Sequence, residues 1–147
     1  MPLTSHFRAL ENMYASAPIN EIYKPVLSVS KGKAEIKMAL SEQFFHSAGA
    51  VHGSVYFKML DDAAFFAANS YETKVFVLTT SFTTYLTRPV SKGRLKAVGK
   101  VVNKNKSQFI AQSVVYDEKS NEIGRGSGVF VKSKMALTQA KGYKNPM

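Results

Sequence analysis

Between Ser54 and Ser70 the chain carries no glycine or proline. Apolar side chains stand at Val55, Tyr56, Phe57, Met59, Leu60, Ala63, Ala64, Phe65, Phe66, Ala67 and Ala68. Wound at 3.6 residues per turn, these positions fall on almost every side of a helix, and a helix apolar nearly all round has to be enclosed by other elements. Its polar positions Lys58, Asp61, Asp62 and Asn69 lie near one stripe. The fold must therefore supply cover on most sides of this segment, with a partner subunit available for the remainder.

Strands are the cover the rest of the chain offers. Val26–Ser30 and Ala34–Leu40 flank the turn Lys31-Gly32-Lys33, and Lys74–Leu86, Gly93–Asn103, Ser107–Tyr116 and Glu122–Lys132 are runs rich in β-branched and aromatic residues between polar turns. Ser5–Ala17 carries Phe7, Leu10, Met13 and Tyr14 at helical spacing, and Pro18 and Pro25 end that pattern. From Ser133 to Met147 no pattern is visible, and this tail is expected to fray. A central helix between a strand pair and a four-strand meander predicts an α+β fold, an antiparallel sheet wrapped around one long helix. The 147 residues fit a single domain over 1–147.

Composition removes several classes of function. With 45% hydrophobic residues the chain can form a real core, and disorder is excluded as the main reading. It has no cysteine, so thiolate catalysis, disulfides and Cys-ligated metals are excluded. No apolar run approaches the roughly 20 residues of a membrane helix, and Met1–Glu11 has no apolar stretch of the signal-peptide kind. A soluble cytoplasmic protein is the expectation.

Charge is uneven. There are 20 Lys and Arg against 10 Asp and Glu, a net charge of +10, and between Gln43 and Tyr116 the only acids are Asp61, Asp62 and Glu72. Such an excess attracts polyanions: nucleic acid, an anionic membrane, or a phosphate-bearing small molecule. A merely solvated surface would account for it as well. No nucleic-acid motif is present, and the basic residues lack the interleaved aromatics of single-strand binders.

The stretch His46-Ser47-Ala48-Gly49-Ala50-Val51-His52-Gly53-Ser54 precedes the buried helix. A helix N-terminus exposes unpaired N–H groups at the positive end of its dipole. Gly53 has no side chain, so a carbonyl oxygen could approach those groups as in an oxyanion hole. Two turns on, Asp61 is a carboxylate on an apolar helix, expensive to bury unless paired or used. A Lys58–Asp61 or Lys58–Asp62 ion pair would account for it structurally, as a turn hydrogen bond would for His52 and strand alternation for Thr79.

From His46 to Pro89 these residues resemble the hotdog-fold acyl-CoA thioesterases of the phenylacetate-degradation type. Their motif is Asn, five residues, His-Gly-Gly, then Asp nine residues after that His. This chain has His46, five residues, His52-Gly53-Ser54, then Asp61. His46 stands for the family's Asn and Ser54 for its second Gly, and the family's strand hydroxyl falls on Thr79. The resemblance implies a hotdog fold, and an enzyme that cleaves an acyl-CoA or acyl-carrier thioester without metal or cofactor, coenzyme A entering as part of the substrate. In that reading the Gly53 N–H binds the carbonyl oxygen and Asp61 is general base or nucleophile. His46 and His52 orient carbonyl and water, and Thr79 holds the water or Asp61. The family draws the Asp and the facing His-Gly loop from different subunits, which implies a homodimer, with a tetramer as the next assembly open to it.

The resemblance also places the nucleotide end of coenzyme A near Lys104, Asn105, Lys106, Ser107 and Gln108, with Arg88, Lys92 and Arg94 as secondary partners for its phosphates. Tyr56, Phe57, Phe65, Phe66, Phe76 and Phe82 could line an acyl pocket or be ordinary core. Two other readings stay open: a hydratase or dehydratase acting on an acyl thioester, and a non-catalytic binder of an acyl ligand or nucleic acid.

Overall fold

A computed structural model describes residues 2–146. Helix α1 spans Leu3–Ser16 and a single turn, α2, spans Asn20–Tyr23. Strands β1 (Val26–Ser30) and β2 (Lys33–Ala39) precede the long helix α3, Gly53–Asn69. Then come β3 (Val75–Leu86), β4 (Arg94–Lys104), β5 (Gln108–Tyr116) and β6 (Glu122–Ala136). All six strands form one antiparallel sheet in the order β1-β2-β4-β5-β6-β3, and α3 packs against all six, least against β1.

Enclosure of α3 follows from its small residues. Ala63, Ala64, Ala67 and Ala68 are wholly buried. Opposite them on β4, a side chain at Gly99 would overlap the Ala63 backbone, so this glycine lets the helix lie close on the sheet. Ser113 of β5 donates its hydroxyl to the Leu60 carbonyl at 2.7 Å, a direct sheet-to-helix bond. At the far end Asn69 is buried and ties the helix to β3: its Nδ2 donates to the Glu72 and Val75 carbonyls, and its Oδ1 accepts from Val77 N–H.

The expected four-strand meander is corrected. Only β4, β5 and β6 run consecutively; β3 crosses to the far edge beside β6, and β4 pairs with β2 instead. Side-chain fit accounts for this partner: the Phe82 ring of β3 lies over Gly126 and Gly128 of β6, where any side chain would overlap it. Fraying of the C-terminal stretch is corrected too. Strand β6 continues to Ala136, Leu137 is fully buried, and its N–H donates to the Lys74 carbonyl at 2.9 Å. Beyond it Asn12 of α1 donates to the Gly142 carbonyl at 2.7 Å. His6 of α1 is wholly buried between the Asn69 carbonyl (2.8 Å) and the Tyr143 hydroxyl (2.6 Å). Met147 lies outside the described residues.

The two sheet edges are treated differently. On β1, Val29 N–H donates to Glu11 at 2.8 Å and Val29 O accepts from Arg8 at 3.0 Å, so α1 satisfies that edge with an ion-paired couple. On β3, Thr79, Thr80, Ser81, Tyr85 and Leu86 are exposed, and the strand contains no charged residue and no proline. Long uncharged edges of this kind are templates for pairing with another chain. Among the described residues no helix is long and apolar enough to cross a membrane.

Candidate active site

The segment before α3 is pinned on both sides. Phe45 and Val51 form an antiparallel bridge, His52 N–H donates to Phe44 O at 2.8 Å, and Val51 N–H donates to Val90 O at 3.0 Å. Inside this bridge the chain turns tightly: Gly49, with φ of +81°, donates its N–H to His46 O, and His46 N–H donates to Ala50 O. A left-handed residue without Cβ closes such a turn at low cost.

His52 is the N-cap of α3. Its Nδ1 accepts from Ser54 N–H at 3.0 Å and lies 2.8 Å from the Ser54 hydroxyl. His46 Nδ1 likewise accepts from Ala48 N–H at 3.0 Å. With Nδ1 an acceptor in both rings, the neutral imidazoles carry their proton on Nε2. In that tautomer each ring presents an Nε2–H donor. Ser54 holds the His52 ring through its N–H and hydroxyl.

His46, Gly53, Tyr56, Leu86, Arg88 and Pro89 line a cavity of about 400 Å³ at this end of the helix. A Cβ on Gly53 would come within 2.9 Å of Leu86 Cδ1, so a side chain here would displace the Leu86 methyl at the cavity wall. Of the first-turn N–H groups, that of Ser54 goes to His52 Nδ1 and that of Val55 to His52 O; among the described residues none accepts from Gly53. Tyr56 donates its hydroxyl to Arg88 O at 2.7 Å and fixes the loop beyond β3 against α3.

Asp61 and Thr79 lie elsewhere. They line a second cavity, about 330 Å³, with Phe65, Phe66 and Phe76 and with residues of the N-terminal helices. Thr79 Oγ1 donates to Asp61 Oδ1 at 2.9 Å. Burial, the largest influence, pushes the Asp61 carboxyl from its ordinary 3.8 up to about 6. The Thr79 bond and Lys58 pull it down, and the neighbouring Asp62 pushes it up. The ion pair of the helix goes to Asp62, not Asp61: Lys58 Nζ sits 2.8 Å from Asp62 Oδ2. The Tyr14 hydroxyl donates to the same oxygen at 2.6 Å, and the Tyr14 and Tyr23 rings flank the ammonium at 5.2 Å. Of the two ion pairs that the helical spacing allows, the structure forms Lys58–Asp62; the Tyr14 bond lies beyond that spacing, because nothing in it shows that this hydroxyl meets a residue 48 positions on.

One chain thus brings His46 and Gly53 to one cavity and Asp61 and Thr79 to another, with His52 exposed at the helix cap. Of the aromatics considered for an acyl pocket, Phe65, Phe66 and Phe76 line the Asp61 cavity and Tyr56 the other; Phe57 and Phe82 pack edge to face at 5.6 Å. In the Lys104–Gln108 turn, Asn105 Oδ1 accepts from the Ser107 and Gln108 N–H groups and from the Ser107 hydroxyl, closing the hairpin on itself. Lys104 lies over the Tyr71 ring at 4.0 Å, while Lys106 is exposed. Arg88 stands at the opposite end of the sheet, beside the His46 cavity.

Residues 48–123 match the family model of the thioesterase superfamily. The structure of the E. coli PaaI protein, from the phenylacetic acid degradation operon, superposes with a TM-score of 0.80 at 19% identity, covering 90% of this chain and 98% of that one. A thioesterase from Haemophilus influenzae superposes with a TM-score of 0.73 at 17% identity, covering 82% and 85%. A Thermus thermophilus protein does so at 0.73 and 18%, covering 80% and 98%. At such identities these likenesses show the shared architecture, the hotdog fold. No curated protein matches the chain.

Proposed function

Because the chain belongs to the thioesterase superfamily, we propose that it hydrolyses an acyl thioester of coenzyme A or an acyl carrier, as a homodimer with its sites between subunits. The observation that carries this reading is the state of Asp61. It is a half-buried carboxylate oriented by Thr79 and raised to about 6 at the wall of an apolar cavity. A group that is ionised at neutral pH, yet has gained basicity from burial, suits a general base.

In the proposed reaction Asp61 takes a proton from water as the water oxygen attacks the thioester carbonyl carbon. The negative charge that develops on the carbonyl oxygen is met by Gly53 N–H at the positive end of α3. His46 and His52 supply Nε2–H donors near that end. The tetrahedral intermediate then expels the thiolate, which takes up a proton, leaving free acid and thiol. The same carboxylate could attack carbon directly to form a mixed anhydride; both routes require it ionised.

Geometry supports the two-subunit site. Gly53 and Asp61 are eight residues apart on one helix, about 12 Å along its axis, too far for one carbonyl and its attacking water. Strand β3 offers the means to join two copies. Antiparallel pairing of two β3 edges about a two-fold axis would set the Leu86 end of one strand beside the Val77–Thr79 end of the other. That would bring one copy's Gly53 cavity towards the partner's Asp61. It would also bring Arg88 towards the partner's Lys104–Gln108 turn, since Gln108 and Leu78 both pair with Val131 of β6. Cations converging from both sides suit the phosphates of coenzyme A.

The test is thiol release from a panel of acyl-CoA substrates by the wild-type protein and by Asp61→Asn. Thiol release that depends on Asp61 supports the proposal. Hydration of an unsaturated acyl-CoA without thiol release would favour a hydratase instead.

A further inference from the structure

The outer face of the sheet carries a charge pattern that the candidate active site does not use. On β2 and β4 the residues turned toward α3, among them Ala34, Ile36, Leu95 and Ala97, are buried. Those between them point outward, as strand alternation requires. There Lys33 stands directly opposite Lys100 and Lys37 directly opposite Lys96, with Glu35 opposite Val98 between the two couples. All four lysines are exposed. Like charges set opposite each other destabilise a sheet, and here the arrangement occurs twice. Guarding a sheet edge does not account for it, because β2 and β4 are interior strands. Nor do acids offset it. Glu35 is the only acid on β2, β4 and β5, and it lies 3.8 Å from Lys37. Among the described residues Lys33, Lys96 and Lys100 have no ion-pair partner. A groove of about 340 Å³ runs beside Lys33 and Lys100, lined further by Val98, Val114 and Tyr116.

We infer that this face docks an acidic helix of a partner protein, with carboxylates two turns apart on the two lysine couples and an apolar side chain on Val98 and Val114 between them. The spacing fits. Lys96 and Lys100 are four residues apart on one strand, about 13 Å. Two helical turns span about 11 Å, and the flexible lysine stems take up the difference. Each couple brings two ammoniums to one carboxylate. The middle turn meets Glu35, which repels a third acid there and favours an apolar residue. That middle position also decides among polyanions. A phosphate backbone carries a charge at every nucleotide and would set one against Glu35. Single-strand binders need successive stacked aromatics, and this groove has one, the half-buried Tyr116. A bilayer is flat, whereas this is the convex side of a sheet wrapped around α3. A second copy presenting the same face would set lysines against lysines.

The experiment follows the fluorescence anisotropy of a labelled helical peptide of about 18 residues, with glutamates two turns apart and leucine on the turn between. It uses the wild-type protein and the double variant Lys33→Gln, Lys96→Gln, which removes one lysine from each couple. The wild-type protein is expected to bind this peptide at low salt and to release it at high salt, and not to bind a peptide with glutamines in place of the glutamates. The variant should bind the acidic peptide about tenfold more weakly. Because the variant relieves both like-charge contacts, its melting temperature should stay level or rise; a lower one would overturn the claim that the couples destabilise the sheet. No binding by the wild-type protein, or equal binding by both proteins, would overturn the docking face. A uridine oligoribonucleotide, or vesicles of phosphatidylglycerol, bound more tightly than the peptide and through the same two lysines would overturn the helix as occupant. Thiol release from free acyl-CoA should be unchanged in the variant, since neither lysine lines the Gly53 or the Asp61 cavity; a loss would tie these lysines to the active site and overturn their separate role.

Discussion

The Thr79 hydroxyl donates a 2.9 Å hydrogen bond to Asp61 Oδ1, tying a carboxylate in the middle of the central helix to the outermost strand of the sheet. This bond favours the ionised form, yet the carboxyl still rises to about 6, so burial outweighs it. If Asp61 must be ionised to act, turnover rises with pH through about 6. In Thr79→Val the downward pull is gone, and the acid limb moves to higher pH. A pH profile of kcat/KM on both proteins checks this; coincident limbs would dissociate Thr79 from the chemistry.

Asp61 also costs stability at neutral pH. The folded chain binds a proton here up to about 6 and the unfolded chain only up to 3.8, so the stability this group contributes is present below 3.8 and lost as pH rises through about 6. The full shift corresponds to ~3 kcal/mol; for a half-buried group, solvent screening leaves about 1–2 kcal/mol. Asp61→Asn is therefore expected to lose about 10²–10⁴-fold in kcat while melting higher, at about 2–4 °C per kcal/mol. Calorimetry at about pH 7.5 reads the second half. Loss of activity with a lower melting temperature would point to structural damage instead.

His6 acts with the opposite sign. Burial, its largest influence, lowers its pKa below the ordinary 6.5, against the Asn69 carbonyl and Glu72, which raise it. Between the lowered folded value and 6.5 the unfolded chain binds the extra proton, so stability is complete above 6.5 and falls as pH drops below it. Because His6 joins α1 to Asn69 and Tyr143, His6→Gln should be less stable overall but flatter across this window. Urea midpoints at about pH 8 and about pH 5 give the comparison. An unchanged slope would assign the acid sensitivity to another group.

If the Lys104–Gln108 turn holds the carrier and not the acyl group, Lys106→Glu should raise KM for an acyl-CoA several-fold and leave kcat nearly unchanged. The effect should shrink in high salt. Lys104→Glu would in addition lose the contact with the Tyr71 ring, so Lys106 is the cleaner probe. An unchanged KM would remove this turn from the binding surface.

The central helix was legible because eleven apolar side chains in a stretch without glycine or proline fall on almost every side of it. The strand segments were legible from their β-branched runs. Strand order was not: the choice of β6 as partner for β3 depends on Phe82 lying over Gly126 and Gly128, residues more than forty positions away. Nor was the ordered tail, since Leu137 and Tyr143 are held by distant partners, Lys74 and His6. At the site, the spacing of His46, His52-Gly53 and Asp61 singles out residues that the structure divides, His46 and Gly53 lining one cavity and Asp61 another. It could not show which of Asp61 and Asp62 Lys58 would pair with, or that an Asn20 oxygen would be left bare. Those are properties of where α1 and α2 dock, and local pattern does not encode docking.

Co-expression of Asp61→Asn with Gly53→Leu tests the composite site most directly. Each variant alone should be inactive, because both of its sites lack one half. In a random mixture half the dimers are mixed, and each of these carries one site with both halves intact, so about a quarter of wild-type thiol release should return. A mixture as inactive as its components would contradict a site shared between subunits, and full turnover by Asp61→Asn alone would contradict the carboxylate's role.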